Sequence, residues 1–356
     1  MRLTDKVPDA STLSQNRRRR FADSGIYQEI FDEIVLQAMG RGMVEGRVLY
    51  TDSTHLKANA NKNKHDVLKV AQTPVAYLAE LEAAIDADRQ ASGKKPLKGR
   101  GDDENGDGGV SESDKTKQIK VSRTDPDSGF MVRNDKPRGF FYLDHRTVDG
   151  KHAIITDTHV TPGNVHDSQL YLSRLDRQCE CFGFAPDMVG LDAGYFTSQV
   201  CHGLERREIA GVMGYRRPPH REGYFYKRQY VYDEAGDRYI CPSGQELTYR
   251  ATSREGYRQY HSDPTQCASC EDRPRCTRSV NQIKVVVCHV WEAAKEAMDA
   301  RRLTEWGKRV YARRKETVER SFADAKQLHG CMVSSRYVGI PASDPCGGRR
   351  PRRCAA

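Results

Sequence analysis

Gly139-Phe-Phe-Tyr-Leu-Asp-His-Arg-Thr-Val-Asp149, then Gly150, then Lys151-His-Ala-Ile-Ile-Thr-Asp-Thr-His-Val160 reads as two strands around an Asp-Gly turn. Both runs are rich in β-branched and aromatic residues, and Asp-Gly accepts the backbone angles of a hairpin turn. Upstream, Arg47-Val-Leu-Tyr-Thr-Asp52-Ser-Thr-His-Leu56 has the same composition and predicts a third strand. Downstream, Asp187-Met-Val-Gly-Leu-Asp192-Ala-Gly-Tyr195 is a short apolar strand that ends at Asp192. A helix from about Ser198 to Arg206 follows, and Ile209-Ala-Gly-Val-Met-Gly-Tyr215 is a further strand. Three antiparallel strands followed by strand, helix and strand suit an α/β domain with a mixed sheet flanked by helices.

Helical stretches surround this centre. Residues 26–39 place Ile30, Ile34 and either Leu36 or Gln37 near helical spacing, and Gly40 and Gly42 close the helix. A second helix, with Val75, Leu78, Leu81 and Ile85 in register, runs to about Arg89. Residues 91–120 are Gly, Asp, Lys and Ser with almost no apolar side chains, which predicts a flexible surface insert. Thr161-Pro-Gly-Asn164 breaks the strand pattern before a helix from about Asp167 to Leu175. Residues 220–288 carry many Tyr, Arg and Cys with short strand signals. From about Val290 to His329 the chain reads as helical, with a break near Thr304 and a stop at Gly330.

The net charge of +9 favours an anionic partner, nucleic acid being the usual one. Two basic clusters, Arg17 to Arg20 and Arg349, Arg350, Arg352 and Arg353, are either solvated patches or phosphate contacts. No run of about 18 apolar residues occurs, so no membrane span is expected. The N-terminal residues lack an apolar signal core, and the 11 cysteines are odd in number. Both point to a reducing, cytoplasmic setting rather than a disulfide framework.

Three acids stand out: Asp52 within the first strand, Asp192 at a strand end, and Glu319 in the late helix. Carboxylate oxygens are natural ligands of Mg²⁺. Two such ions about 3.5–4 Å apart can activate an attacking oxygen and stabilise a leaving one. Each acid alone has a bland reading: a strand-end Asp is a common turn residue, and a Glu on a basic helix is a common ion-pair partner.

The combination resembles the insertion-sequence DDE transposases of bacteria. Tyr50-Thr-Asp-Ser-Thr-His-Leu-Lys-Ala-Asn-Ala-Asn-Lys62 resembles their first-aspartate motif, and Thr161-Pro-Gly-Asn-Val-His-Asp-Ser168 the segment between the first two acids. Gly190-Leu-Asp-Ala-Gly-Tyr195 resembles the second-aspartate motif, and Tyr311-Ala-Arg-Arg-Lys-Glu-Thr-Val-Glu-Arg-Ser-Phe-Ala-Asp-Ala-Lys326 the glutamate helix. The four motifs stand in the family's order over about residues 47–330. The resemblance implies an RNase H-like fold with a five-stranded mixed sheet. It also implies two bound Mg²⁺ or Mn²⁺ ions, with Asp52, Asp192 and Glu319 as metal ligands, and metal-dependent cleavage and transfer of DNA strands. Element ends and target DNA would be the partners, bound by a homodimer, in the cytoplasm at the nucleoid.

On one continuous helix, Lys315, Glu319 and Lys326 share a face, which suits a phosphate backbone beside the metals. Related transposases space Tyr, Arg, Glu and Lys at fixed gaps. Here Lys326 keeps its gap from Glu319, but Tyr311 and Arg314 each sit one position early. Either Lys315 replaces the arginine or the helix is locally adjusted. His166 either supports the site or touches DNA; the alternative is simple packing beside a helix capped by Asp167.

Cys241 in Cys-Pro-Ser-Gly, the pair Cys267-Ala-Ser-Cys270, and Cys276 form a candidate zinc set, Cys-x-x-Cys being a common zinc half-site. Unliganded cysteines are the other reading, and Cys288 is a weaker candidate. Similar transposases carry a cysteine-bearing insert at this place. The organisation expected is a remnant of a helical DNA-binding region (1–46), a first part of the catalytic core (47–219), and a cysteine insert (220–288). The helical end of the core (289–336) and a disordered basic tail (337–356) follow. Two rival readings stand beside a transposase: an inactive remnant that only binds DNA, and an RNase H-like nuclease without strand transfer.

Overall fold

The computed structural model describes residues 9–19, 21, 24–71, 77–97, 116–133, 137–215, 221–328 and 333–334. Val75, residues 98–115 of the expected insert, His329, Gly330 and the arginines of the C-terminal tail lie outside the described residues. The chain divides into two compact units. One combines residues 1–70, 118–215 and 298–356, and the other combines 71–117 and 216–297.

The first unit is a mixed α/β domain. Its sheet is built on β1 (Val48–Ala58), which pairs antiparallel with β5 (Gly139–Asp149) and parallel with β7 (Met188–Leu191). Beyond β5 lies β6 (Ile155–Pro162), antiparallel, and beyond β7 lies β8 (Ala210–Met213), parallel. The order β6-β5-β1-β7-β8 is compatible with the expected RNase H-like sheet. Two short strands bring the total to seven: β4 (Gly129–Met131) beside β5, and β14 (Val333–Ser334) beside β1. A separate two-stranded ribbon pairs β2 (His65–Ala71) with β3 (Thr116–Ser122), so the end of the expected insert is strand. The hairpin forms where the sequence places it. Its connection is wider than two residues, with the Asp149 N–H donating to Ile154 O and the Asp149 carboxylate accepting from the Lys151 N–H.

Side chains alternate along a strand, so β1 has two different faces. Tyr50, Asp52 and Thr54 share one. There Tyr50 packs with Val148, Val212, Val310, Val318 and Phe322. Val310 belongs to α9 (Glu305–Ala312), and Val318 and Phe322 to α10 (Val318–Gln327). Gly190 stands opposite Tyr50, and a Cβ there would meet the Tyr50 ring at 2.5 Å, so glycine is what lets the ring lie flat on β7. The other face carries Thr51, whose hydroxyl is 2.8 Å from that of Thr147. It is served by α4 (Ser168–Phe182), whose buried Gln178 accepts from the Thr156 hydroxyl.

Helix α2 (Ile26–Gly40) forms as expected, but Val35 is its buried residue, while Ile30, Ile34 and Leu36 are exposed. Periodicity marks an apolar stripe without saying what covers it. Helix α5 (Ser198–Glu205) is capped by Thr197, whose side chain accepts from the Val200 N–H.

The second unit is an antiparallel five-stranded sheet in the order β13-β12-β11-β10-β9. Its strands are β9 (Val231–Asp233), β10 (Arg238–Ile240), β11 (Glu246–Thr252), β12 (Tyr257–Ser262) and β13 (Val285–His289). Tyr230, Tyr239, Leu247, Tyr260, Val286 and Cys288 form its core. Helix α3 (Tyr77–Ala91) buries Leu81 and Ile85 with Trp291. Two very short helices, α6 (Pro264–Ala268) and α7 (Arg273–Cys276), lie between β12 and β13. The longer α8 (Glu292–Leu303) ends just before Thr304, the expected break, where the Thr304 side chain caps α9.

Candidate functional site

The three acids singled out in the sequence come from three elements of the first unit. Asp52 sits in the middle of β1, Asp192 follows the last residue of β7, and Glu319 is in the first turn of α10. One guanidinium gathers them. Arg314 Nη2 lies 2.7 Å from Asp52 Oδ2, and Nη1 lies 3.6 Å from Asp192 Oδ1 and 3.5 Å from Glu319 Oε1. The Asp192 and Glu319 oxygens are therefore no further apart than the sum of those two distances. The Arg314 side chain is 3% exposed, whereas Asp192 and Glu319 are 49% and 43% exposed. The cation is thus buried beneath a carboxylate group that opens to solvent.

A local break in the helix makes this arrangement. Residues 314 and 319 are five apart, which on a regular α-helix turns them about 140° from each other. Here α9 stops at Ala312, Arg313–Lys315 wind into a tighter 3-10 turn, and Thr317 leaves helical angles at φ −111° and ψ −98° before α10 starts. The Thr317 hydroxyl donates to Arg313 O at 2.8 Å and holds the turn. Arg314 and Glu319 consequently meet. The expectation that Lys315, Glu319 and Lys326 share the face of one helix is corrected: Lys315 is exposed on the turn, and Arg314 is the cation that reaches the acids. Of the two ways to account for the shifted arginine, the structure takes the local adjustment.

Tyr311 supports Arg314 twice, with its hydroxyl accepting from Nη1 at 3.1 Å and its ring 5.1 Å from the guanidinium. A Cβ on Gly214 would come within 2.7 Å of the Tyr311 hydroxyl and 2.8 Å of the Ala193 nitrogen. That glycine, just beyond β8, makes the room in which Tyr311 and the backbone after Asp192 approach. Lys326 lies further along α10 and donates to the Thr54 hydroxyl at 2.7 Å, two residues from Asp52 on the same strand face.

The electrostatics are uneven. Burial pushes the Asp52 carboxyl up to about 6; Arg314 and the Ser53 N–H oppose the rise, and the Asp192 and Glu319 charges add to it. Three carboxylates face one guanidinium, so two negative charges among these four groups lack a partner within the group.

Two residues not chosen from sequence stand beside the site. Arg146 is opposite Asp52 in the β1–β5 register, and Asp144 is opposite Thr54. Arg146 pairs with the buried Asp144 at 2.8 Å, donates to Ser321 O at 3.0 Å and stacks over Phe322, tying α10 to the sheet. The available signal was Asp144-His-Arg146 in the middle of a strand that starts apolar, where alternation puts both charges on one face.

His166 is exposed, and its Nδ1 lies 2.8 Å from the Ser168 hydroxyl. The alternative of an Asp167 side-chain cap does not hold: Asp167 makes no cap hydrogen bond, and its Oδ1 is buried without a partner. The Asp167 and Asp52 charges instead both act on the buried Tyr195, whose hydroxyl is held well above its ordinary range, mainly by burial. In the second unit, Cys241, Cys267, Cys270 and Cys276 line a single cavity, and Cys288 sits in the tyrosine core instead.

Among the described residues no helix is long and apolar enough to cross a membrane. No curated protein and no solved structure matches the chain. Residues 240–342 match the family model of the transposase DDE domain. That segment contains Tyr311, Arg314, Glu319 and Lys326 together with the four cysteines, while Asp52 and Asp192 lie before it. Over these residues the chain is similar to the DDE domain of transposases.

Proposed function

We propose that the chain is a DNA transposase in which Asp52, Asp192 and Glu319 hold two divalent ions, Mg²⁺ or Mn²⁺, for phosphodiester cleavage and strand transfer. The observation that carries this reading is the meeting of all three carboxylates, from residues far apart in sequence, at the Arg314 guanidinium. The donor set fits the ions: carboxylate oxygens suit Mg²⁺, and the excess of negative charge favours a divalent cation. Among the described residues no three such side chains stand in ligand geometry, since Arg314 lies between these acids. Asp192 and Glu319 are exposed enough to turn toward an ion. Bound there, the ions would activate the attacking oxygen and stabilise the leaving one.

The protein's own part is positioning. Arg314 holds the three carboxylates together, and Tyr311 fixes Arg314. The strand order of the first unit supports an RNase H-like core. Exposed Lys315 and His166, with Lys326, are the groups assigned to the DNA backbone, cations being the usual phosphate contacts. The partners assigned are element ends and target DNA, bound by a homodimer in the cytoplasm.

The test is an oligonucleotide assay with Mg²⁺ or Mn²⁺ that scores cleavage and joining separately. Asp52→Ala, Asp192→Ala and Glu319→Ala should each lower both by about 10³ or more with an unchanged circular dichroism spectrum. Cleavage without joining would favour a nuclease, and DNA binding without cleavage a remnant that only binds. Full activity of Glu319→Ala would end the three-carboxylate reading.

A further inference from the structure

We propose that Cys241, Cys267, Cys270 and Cys276 form a tetrathiolate zinc site that staples the 263–284 segment to the five-stranded sheet. This goes beyond the DNA chemistry and rests on different residues, all within the second unit.

The first observation is convergence. Cys241 stands in the turn between β10 and β11, Cys267 in α6, Cys270 just after it, and Cys276 at the end of α7. These four separate backbone positions put their side chains on one cavity, together with Phe225 and Lys284. Cys288, the other cysteine of this unit, packs with Tyr239 and Tyr260 and does not line it. The structure therefore selects four cysteines from five.

The second observation is what this segment lacks. Between Asp263 and Lys284, Cys267 is the one buried residue, and Val280 is 95% exposed. Helices α6 and α7 have five and four residues. Helices that short do not persist without outside support, and hydrophobic burial here does not provide it. The sulfur-bearing side chains are what the segment turns inward. A metal bound by them supplies folding free energy directly, as in other small modules with too little core.

The third observation is the polarity around the sulfurs. The Gln245 N–H donates to Cys241 Sγ at 3.3 Å, inside the tight Cys-Pro-Ser-Gly turn where the Gly244 N–H also donates to Cys241 O. A backbone N–H aimed at sulfur stabilises a thiolate and fixes a ligand's direction. Lys284 donates to Cys276 O at 3.1 Å and, with Arg273 on the cavity wall, brings positive charge near four thiolates. In the structure the other thiols contact hydroxyls: Cys276 with Tyr230 at 3.1 Å, Cys267 with Ser262 at 3.2 Å, and Cys270 with Ser243 at 3.6 Å. Among the described residues no three of these thiols already stand in ligand geometry. Each has a single heavy-atom side-chain torsion to turn. Binding releases the thiol protons to solvent as the zinc–sulfur bonds form.

The experiment uses the full chain, purified with reductant, loaded with Zn²⁺ and desalted. Elemental analysis should find about one zinc per chain, and Cys270→Ser or Cys276→Ser at least tenfold less, while Cys288→Ser keeps it. Alkylation mapped by peptide mass spectrometry should show Cys241, Cys267, Cys270 and Cys276 protected until a chelator is added. The mapping is done on the unsubstituted chain, so a misfolded variant does not decide the outcome. No retained zinc, protection of a different cysteine set, or zinc unaffected by both serine substitutions would overturn the site. Disulfides among the four in the loaded chain would do the same. None of these readouts involves DNA cleavage, so their failure leaves the transposase reading untouched, and the reverse holds too.

Discussion

The two units differ in what holds most of their polar groups, although the second also buries a long-range ion pair, Arg258 with Asp88. In the first, buried arginine and carboxylate groups meet charges from distant parts of the chain: Arg314 gathers Asp52, Asp192 and Glu319, and Arg174 on α4 meets Asp157 on β6. In the second, strands that follow one another in sequence pair as neighbours, and the core is a group of tyrosines whose hydroxyls reach the edge. The Tyr260 and Tyr232 hydroxyls both donate to Asp237 Oδ1, at 2.6 and 2.8 Å. A charge buried on three partners is costly to disturb, because removing one member strands the rest. Removing one tyrosine hydroxyl from the half-buried Asp237 costs little, since the other tyrosine still donates to the same oxygen. A functional group that must be held open toward solvent needs the first arrangement.

The largest effect on stability should therefore follow Arg314→Ala. Three carboxylates would lose their shared cation, and urea unfolding should show a loss of about 3–5 kcal/mol. A loss under about 1 kcal/mol would mean that the cluster behaves as a surface ion pair. Added Mg²⁺ should recover part of the loss if the acids take up cations, which thermal melts with and without the ion would show.

Gly190→Ala should come next. Its new methyl group meets the Tyr50 ring at 2.5 Å between two paired strands, where overpacking costs about 1–3 kcal/mol. Combining it with Tyr50→Leu should restore most of the stability, which separates a steric clash from a strand-propensity effect.

Acid should sharpen the contrast between the units. His145 and His159, opposite one another on β5 and β6, are both pushed down to about 4, chiefly by burial and secondarily by Arg174. The unfolded chain takes up these protons near pH 6.5 and the folded chain only near 4. Stability from this pair is thus complete above about pH 6.5 and is lost as pH falls toward 4. The melting temperature of the chain should drop across that window, and His145→Gln with His159→Gln should flatten the drop. An unchanged slope would mean the two rings are not the titrating groups.

Tyr260→Phe should give the smallest change, about 1 kcal/mol, with the second unit's core intact. A much larger loss would show that the hydroxyl pair on Asp237 fixes the strand register.

Much of the site could be read from residue order. Strand signals around Asp52 and Asp192 are local: β-branched and aromatic runs with turn residues at their ends predict strands wherever they occur. The Thr304 break follows from an N-cap hydroxyl, which is also local. Lys315 shows where this reasoning stops. A continuous helix put it beside Glu319, and that inference was sound for a continuous helix. The 3-10 turn and the non-helical Thr317 replace the regular spacing, and no apolar period announces them. Asp144 and Arg146 were missed because an ion pair within one strand resembles ordinary surface charge until the helix that covers it is known. Helix α2 teaches the same point, since its buried residue is Val35 rather than the periodic Ile30 and Ile34.

By itself, then, the sequence determined which segments become strands and helices, which residue types carry charge, and where three acids and four cysteines fall along the chain. Tertiary structure decided which cation stands among the acids, which face of β1 they occupy, and which cysteines share a cavity. The division has a physical cause. Backbone preferences and periodicity act over a few residues. The meeting of Asp52 with Arg314 joins positions 262 apart, and only the packing of α9 and α10 on the sheet brings them together.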